Sequence, residues 1–172
     1  MQRRSEFDLS SLKILSCGGS ALALSVTTAV TRELPGCRFF MDYGMTECSG
    51  HICISLLSEQ ELRDLPEEEC VRLSSCSGRP FLGMDVRVVD TTASSGTAEL
   101  VDVVTDGQAV GEVLVRGDTV FGEYWQNPPA TADSRRKAVD GGANWFATGD
   151  MAVVDDKGFV NVVSRLKDMI IM

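Results

Sequence analysis

A chain of 172 residues, 44% of them hydrophobic, is long enough to bury a sizeable core as one ordinary domain or two small lobes. Its 25 Asp and Glu against 16 Lys and Arg leave a net charge of -9, which repels nucleic acid and anionic membrane surfaces, and no basic patch is segregated to offset it. Six cysteines (Cys17, Cys37, Cys48, Cys53, Cys70, Cys76) lack CxxC spacing and accompany a lone His51, which argues against a zinc site and for small buried hydrophobes in a reducing compartment. The charged start, Met1 to Glu6, has no apolar core behind it and no window approaches a membrane span, so the expectation is a soluble cytoplasmic protein without a transmembrane segment.

In chain order, Leu12 to Ser16 alternates like a strand and runs into Cys17-Gly18-Gly19-Ser20. Ser20 suits an N-cap, because Leu22, Val26, Ala29, Val30 and Leu34 recur at helical spacing until Pro35-Gly36 stops them. The apolar run Cys37 to Met41 reads as a second strand, completing a βαβ unit whose two strands should be parallel. Tyr43-Gly44-Met45-Thr46-Glu47 follows, where open α/β sheets place ligands. Within five residues it supplies an aromatic face, a flexible glycine, a hydroxyl and a carboxylate.

Beyond it Ile52, Ile54 and Leu56 alternate as another strand, and the acidic segment Glu59 to Glu69 reads as a solvated helix or loop. From Gly78 onward short strands dominate: Val86 to Val89, Glu112 to Val115, Met151 to Val154 and Phe159 to Val163. Asp155-Asp156-Lys157-Gly158 is a strong hairpin turn between the last two. One helix is expected from about Pro129 to Lys137, and Ser94, Ser95 and Gly96 mark a surface loop. The pattern predicts an α/β lobe carrying a parallel βαβ sheet, followed by a small β-rich lobe of distorted-barrel type.

Four short elements stand in one order: Gly18-Gly19-Ser20, Tyr43 to Glu47, Trp145 to Asp150 (WFATGD), and Ser164 to Asp168 (SRLKD). Together with Ser77 to Pro80 (SGRP), Gly111 to Gly117 (GEVLVRG) and Tyr124 to Thr131 (YWQNPPAT), the set resembles the adenylate-forming superfamily of acyl-CoA synthetases, peptide-synthetase adenylation domains and firefly luciferase. The resemblance covers nearly the whole chain. It implies that Gly18, Gly19, Ser20 and Gly44 run beside AMP, that Tyr43 stacks on adenine, that Asp150 grips the ribose hydroxyls, and that Arg165 contacts ribose and phosphate. It implies likewise that Thr46 binds a phosphate oxygen and that Glu47 holds Mg²⁺, while Asp168 marks a hinge. Ser49, Gly50 and His51 follow at a place where family members line the acyl pocket. Ser164, Asn144 and Glu123 stand where the family commonly has glycine; Glu123 puts the local backbone there in doubt.

The implied reaction is attack of a fatty or aromatic carboxylate on ATP to give an acyl-adenylate, then transfer to coenzyme A. Loading of a carrier protein, or a nucleotide-binding fragment without catalysis, are the alternatives. The resemblance divides the chain into residues 1–73 as the end of an AMP-binding α/β subdomain, 74–163 as a β-rich subdomain and 164–172 as a hinge. The family's upstream phosphate loop and downstream mobile domain with its catalytic lysine have no counterpart in these residues. By that reading the chain is the latter part of a large N-terminal domain and inert on its own.

Overall fold

The computed structural model describes residues 6–93, 100–137 and 144–168, so the loop expected at Ser94 to Gly96 lies outside the described residues. Strand β1 (Ile14–Gly18), helix α1 (Leu24–Glu33) and strand β2 (Arg38–Met45) form the expected unit, with β1 and β2 parallel from Ile14 opposite Arg38 to Gly18 opposite Asp42. Ser20 is not the helix cap. Ala23 holds that position in extended conformation, because the left-handed Gly19 (φ 87°) turns the chain and residues 21–23 cross from strand end to helix start before the helix begins. Leu22 joins Val30, Phe39 and Met41 in the small core beneath α1.

Strand β2 runs past its apolar stretch through Tyr43, Gly44 and Met45, since β3 (Gly50–Ile54) pairs antiparallel with it there across a bulge between Tyr43 and Gly44. A 3-10 turn, Thr46–Cys48, links the two strands. Residues 55–57 do not extend β3; Leu57 instead packs with Leu73, Cys76 and Phe159. The two-residue β4 (Arg79–Pro80) completes a mixed sheet ordered β1-β2-β3-β4. The acidic segment forms two helices, α2 (Glu59–Asp64) and α3 (Glu67–Ser74), broken at Pro66. Ser58 opens the first with a capping box, its hydroxyl accepting from the Glu61 N–H and its own N–H donating to the Glu61 carboxylate. The segment is helical and largely exposed, as expected of a solvated face, and two of its partly exposed carboxylates also make ion pairs, Glu61 with Arg79 at 2.7 Å and Glu69 with Lys157 at 2.6 Å.

The second half forms a curled antiparallel sheet. Strands β5 (Met84–Val89) and β6 (Gly111–Gly117) pair along their length; β8 (Trp145–Val154) then pairs with β6, with β7 (Arg135–Arg136) and with β9 (Val160–Arg165). Helix α4 (Pro128–Asp133) stops short of Lys137, because Arg135 and Arg136 are drawn into the sheet opposite Phe146 and Trp145. The β8–β9 turn is the expected one: Asp155 Oδ1 accepts from the N–H groups of Lys157 and Phe159 at 3.0 and 2.8 Å.

The largest core cluster joins the sheets, bringing Cys48, Ile52 and Cys53 against Met84, Val88, Val113, Val115, Phe146, Ala152 and Val160. Burying aliphatic and aromatic side chains at about 1.5–3 kcal/mol each makes this seam the principal source of cohesion between the halves. The six cysteines are free. Cys48, Cys53 and Cys76 are buried, which pushes their thiols up to about 11, 12 and 11 and leaves them chemically quiet. Among the described residues no helix is long and apolar enough to cross a membrane.

Candidate functional site

The expected site residues come from three separate strands. Tyr43 lies late in β2, Asp150 sits mid-way along β8 after the left-handed Gly149 (φ 73°), and Arg165 ends β9 directly opposite Asp150 in the hairpin register. Cross-strand pairing therefore explains the spacing of the aspartate and arginine. The Arg165 guanidinium meets Asp150 Oδ1 at 3.1 Å, and the Tyr43 hydroxyl donates to Asp150 Oδ2 at 2.6 Å. Asp150 is only 4% exposed, and its own N–H donates to Thr148 Oγ1, whose hydroxyl donates to the Val113 carbonyl. Burial, followed by the bond to Asp150, pushes the Tyr43 phenol well above its ordinary range, so the phenol stays a donor.

These three residues line one cavity of about 280 Å³ between the two sheets, together with Gly19, Ser20 and Gly44. Each Asp150 oxygen receives one bond, and a carboxylate offers about four lone-pair sites in all. Acceptor capacity for a hydroxyl-bearing ligand remains. Gly19 presents open space where a side chain would stand, which suits the edge of a flat ring. Gly18 serves another purpose: a Cβ there would lie 1.9 Å from Asp42 Oδ1, so its missing side chain makes room for β2 and it does not line the cavity.

Thr46 and Glu47 stand apart from this hollow. Thr46 lines a shallower opening beside it, which shares Gly19, Asp42 and Gly44 and includes Gly50 and His51. The Glu47 carboxylate accepts from the Tyr124 hydroxyl at 3.0 Å. Among the described residues no three of His, Cys, Asp and Glu gather as a metal cage. A single carboxylate beside a hydroxyl is nevertheless a donor set that suits Mg²⁺, which keeps its waters and takes one or two carboxylates along with phosphate oxygens. His51 stacks at a tilt on Phe81 with centroids 5.3 Å apart, and Ser49 donates to the Thr119 carbonyl. Asp168 closes a 3-10 turn, Leu166–Asp168, directly after β9.

Several cavity residues escaped the sequence reading. Asp42, Ser75, Cys76, Ser77, Asn161 and Val163 line the same hollow. Ser77 had a signal in SGRP: its Oγ accepts from the Val162 N–H, tying the segment after α3 to β9. Asn161, Val162 and Val163 carried none, because the whole end of β9 up to Arg165 lines the cavity and alternation does not single them out.

The family model described as AMP-binding enzyme matches residues 1–125. The chain is 33% identical over 167 residues to the long-chain-fatty-acid–CoA ligase of Haemophilus influenzae, covering 97% of this chain and 25% of that protein. It is 34% identical over 164 residues to the feruloyl-CoA synthase of an Amycolatopsis species, covering 95% of this chain and 28% of the relative. The crystal structure of an anthranilate CoA ligase in complex with anthranoyl-AMP superposes with a TM-score of 0.73 at 24% identity, over 99% of this chain and 28% of that one. The chain thus spans about a quarter of the length of the curated relatives it matches.

Proposed function

Since the chain belongs to the AMP-binding enzyme family of the adenylate-forming superfamily, we propose that its cavity holds the AMP portion of an acyl-adenylate made from ATP and a fatty or aromatic carboxylic acid. The observation that carries this reading is the convergence of Tyr43, Asp150 and Arg165 on one hollow faced by the open Gly19. In it Tyr43 offers its ring to adenine, with Gly19, Ser20 and Gly44 beside the nucleotide. Asp150 accepts from the ribose hydroxyls, and Arg165 neutralises charge between ribose and phosphate. Charge-assisted bonds of this kind are each worth about 1.5–3 kcal/mol.

The reaction of the whole protein is then attack of a carboxylate oxygen on the α-phosphorus of ATP. The bond to the bridging oxygen breaks, pyrophosphate leaves, and the acyl group passes to the thiol of coenzyme A with release of AMP. Thr46 steadies a phosphate oxygen, and Glu47 would hold Mg²⁺, whose charge offsets that of the phosphates. Such displacements depend on alignment and charge neutralisation, so the protein supplies no nucleophile. Residues 1–73 then act as the end of the AMP-binding subdomain, 74–163 as the β-rich subdomain and 164–172 as a hinge.

Calorimetric titration of AMP into the 172-residue chain tests the nucleotide reading. Binding is expected, and Asp150→Ala should abolish it or weaken it more than tenfold; absence of binding, or affinity indifferent to Asp150→Ala, overturns the reading. The ligase step is tested on the whole protein with ATP, Mg²⁺, coenzyme A and a panel of fatty and aromatic acids. Pyrophosphate release with one class of acid is expected, and release at background with every acid defeats the ligase step while leaving nucleotide binding standing.

A further inference from the structure

The Glu47 side chain and backbone are both gripped by the segment that leads from β6 to α4. The Glu47 carbonyl accepts from the Phe121 N–H at 2.7 Å, and Ser49 donates to the Thr119 carbonyl at 3.0 Å. The Tyr124 hydroxyl donates to Glu47 Oε1 at 3.0 Å. Tyr124 is itself fixed: its N–H donates to Thr131 Oγ1 on α4 at 3.0 Å, and its ring packs at a tilt on Phe121 with centroids 4.6 Å apart. Phe121 is held in turn from the sheet side, by the edge of the Phe146 ring at 5.3 Å and by the Arg135 guanidinium stacked 4.9 Å from its centroid. Among the described residues, Tyr124 is the one hydrogen-bond donor to the Glu47 carboxylate, and it takes only one of the two oxygens.

We propose that Tyr124 is a positioning residue for Glu47: it occupies Oε1, fixes the carboxylate plane, and presents Oε2 to the divalent cation that accompanies the nucleotide. The inference rests on the reading of Glu47 given above. A glutamate in a short 3-10 turn has three rotatable side-chain bonds, and a cation satisfied by a single carboxylate cannot order them by encircling the group. An outer donor supplies that order before the cation arrives, as hydrogen-bonded partners do for metal-ligating carboxylates generally. The donor comes from the β-rich half while Glu47 belongs to the α/β half, so the two halves build the cation position together.

The test titrates Mn²⁺, followed by electron paramagnetic resonance, into the 172-residue chain saturated with α,β-methylene ATP, against the nucleotide alone. Wild type, Tyr124→Phe, Glu47→Gln and the double variant are compared. Tyr124→Phe should weaken Mn²⁺ binding by about tenfold, within the range typical for loss of an outer partner. Glu47→Gln should weaken it at least as much, and adding Tyr124→Phe to Glu47→Gln should change nothing further. Reading the effect as a difference between backgrounds cancels any general loosening of the fold. Unchanged Mn²⁺ affinity in Tyr124→Phe, with Glu47→Gln weakened, overturns the role of Tyr124 alone. Affinity unchanged in Glu47→Gln, or no Mn²⁺ bound beyond the nucleotide's own, overturns the cation reading of Glu47 and the role of Tyr124 with it, while AMP titration still reports separately on the cavity.

Discussion

Tyr43 carries two separable roles, one in its ring and one in its hydroxyl. The hydroxyl satisfies a buried carboxylate at 2.6 Å, and removing a hydrogen bond to a charged group costs about 1.5–3 kcal/mol. The ring is the surface on which adenine is proposed to stack, and loss of such a platform costs about 1–3 kcal/mol per base. Tyr43→Phe should therefore lower stability in urea while keeping most of the AMP affinity. Tyr43→Ala should lower affinity a further 5- to 150-fold, the equivalent of about 1–3 kcal/mol. Calorimetry and urea unfolding on the same samples separate the two effects, and equal AMP affinity in both variants would show that the ring does not bear on the nucleotide. The motif around Tyr43 and the WFATGD stretch that holds Asp150 were both legible in the sequence. The hydrogen bond between them was not, because Asp150 lies 107 positions away and only the packing of two sheets brings them together. Asp42, Ser75 and Asn161 went unseen for the same reason: each belongs to the cavity through the folded arrangement and through no motif of its own.

At the scale of an element, the glycines of β2 and of the turn after β1 answer to different constraints. At Gly44 a Cβ would stand 1.7 Å from the Gly50 carbonyl oxygen, a backbone atom that cannot swing aside. Gly44→Ala should force β2 and β3 apart at their bulge, at a cost in the range of about 1–3 kcal/mol typical of overpacking, or more if the bulge is lost. Gly19→Ala meets nothing within 4 Å and suffers only the left-handed backbone penalty of about 1–2 kcal/mol. The new methyl would nevertheless stand in the cavity wall, so its AMP affinity should fall in excess of its stability. Urea midpoints and AMP titration of both variants check this, and the prediction fails if Gly44→Ala proves the milder in urea. Local chemistry made the βαβ unit and the Asp155 turn readable, since their signals lie within the residues that form them. The end of α4 and the length of β8 were not readable, because Arg135 and Arg136 leave the helical path for partners at Phe146 and Trp145 supplied from elsewhere in the chain.

Across the whole molecule, the seam between halves has an ionic margin as well as an apolar core. Arg79 sits 4.1 Å over the Phe159 ring and pairs with Glu61, while Arg72 spans Glu69 and Asp155 and Lys157 closes on Glu69. These contacts fasten α2 and α3 to β4 and to the β8–β9 turn, so part of a largely solvated charged face also bridges the two halves. The Glu61 carboxyl is held down at about 2, first by the Ser58 N–H and then with help from Arg79. Glu69 is likewise at about 2, through Arg72 and Lys157. A carboxyl held below its ordinary value contributes stability that is fully present above about pH 4.5 and is lost as pH falls toward about 2. Both side chains remain partly in water, so each pairing is worth about 0.2–1 kcal/mol. Urea midpoints of wild type and of the Glu61→Gln/Glu69→Gln variant should therefore differ at pH 7, and the gap should close between about pH 4.5 and 2 as the wild-type carboxylates take up protons. Other acidic groups titrate in both proteins and cancel in the comparison. A gap that stays constant down to the lowest pH would mean that the two glutamates act through packing and that their charge does not contribute to the seam.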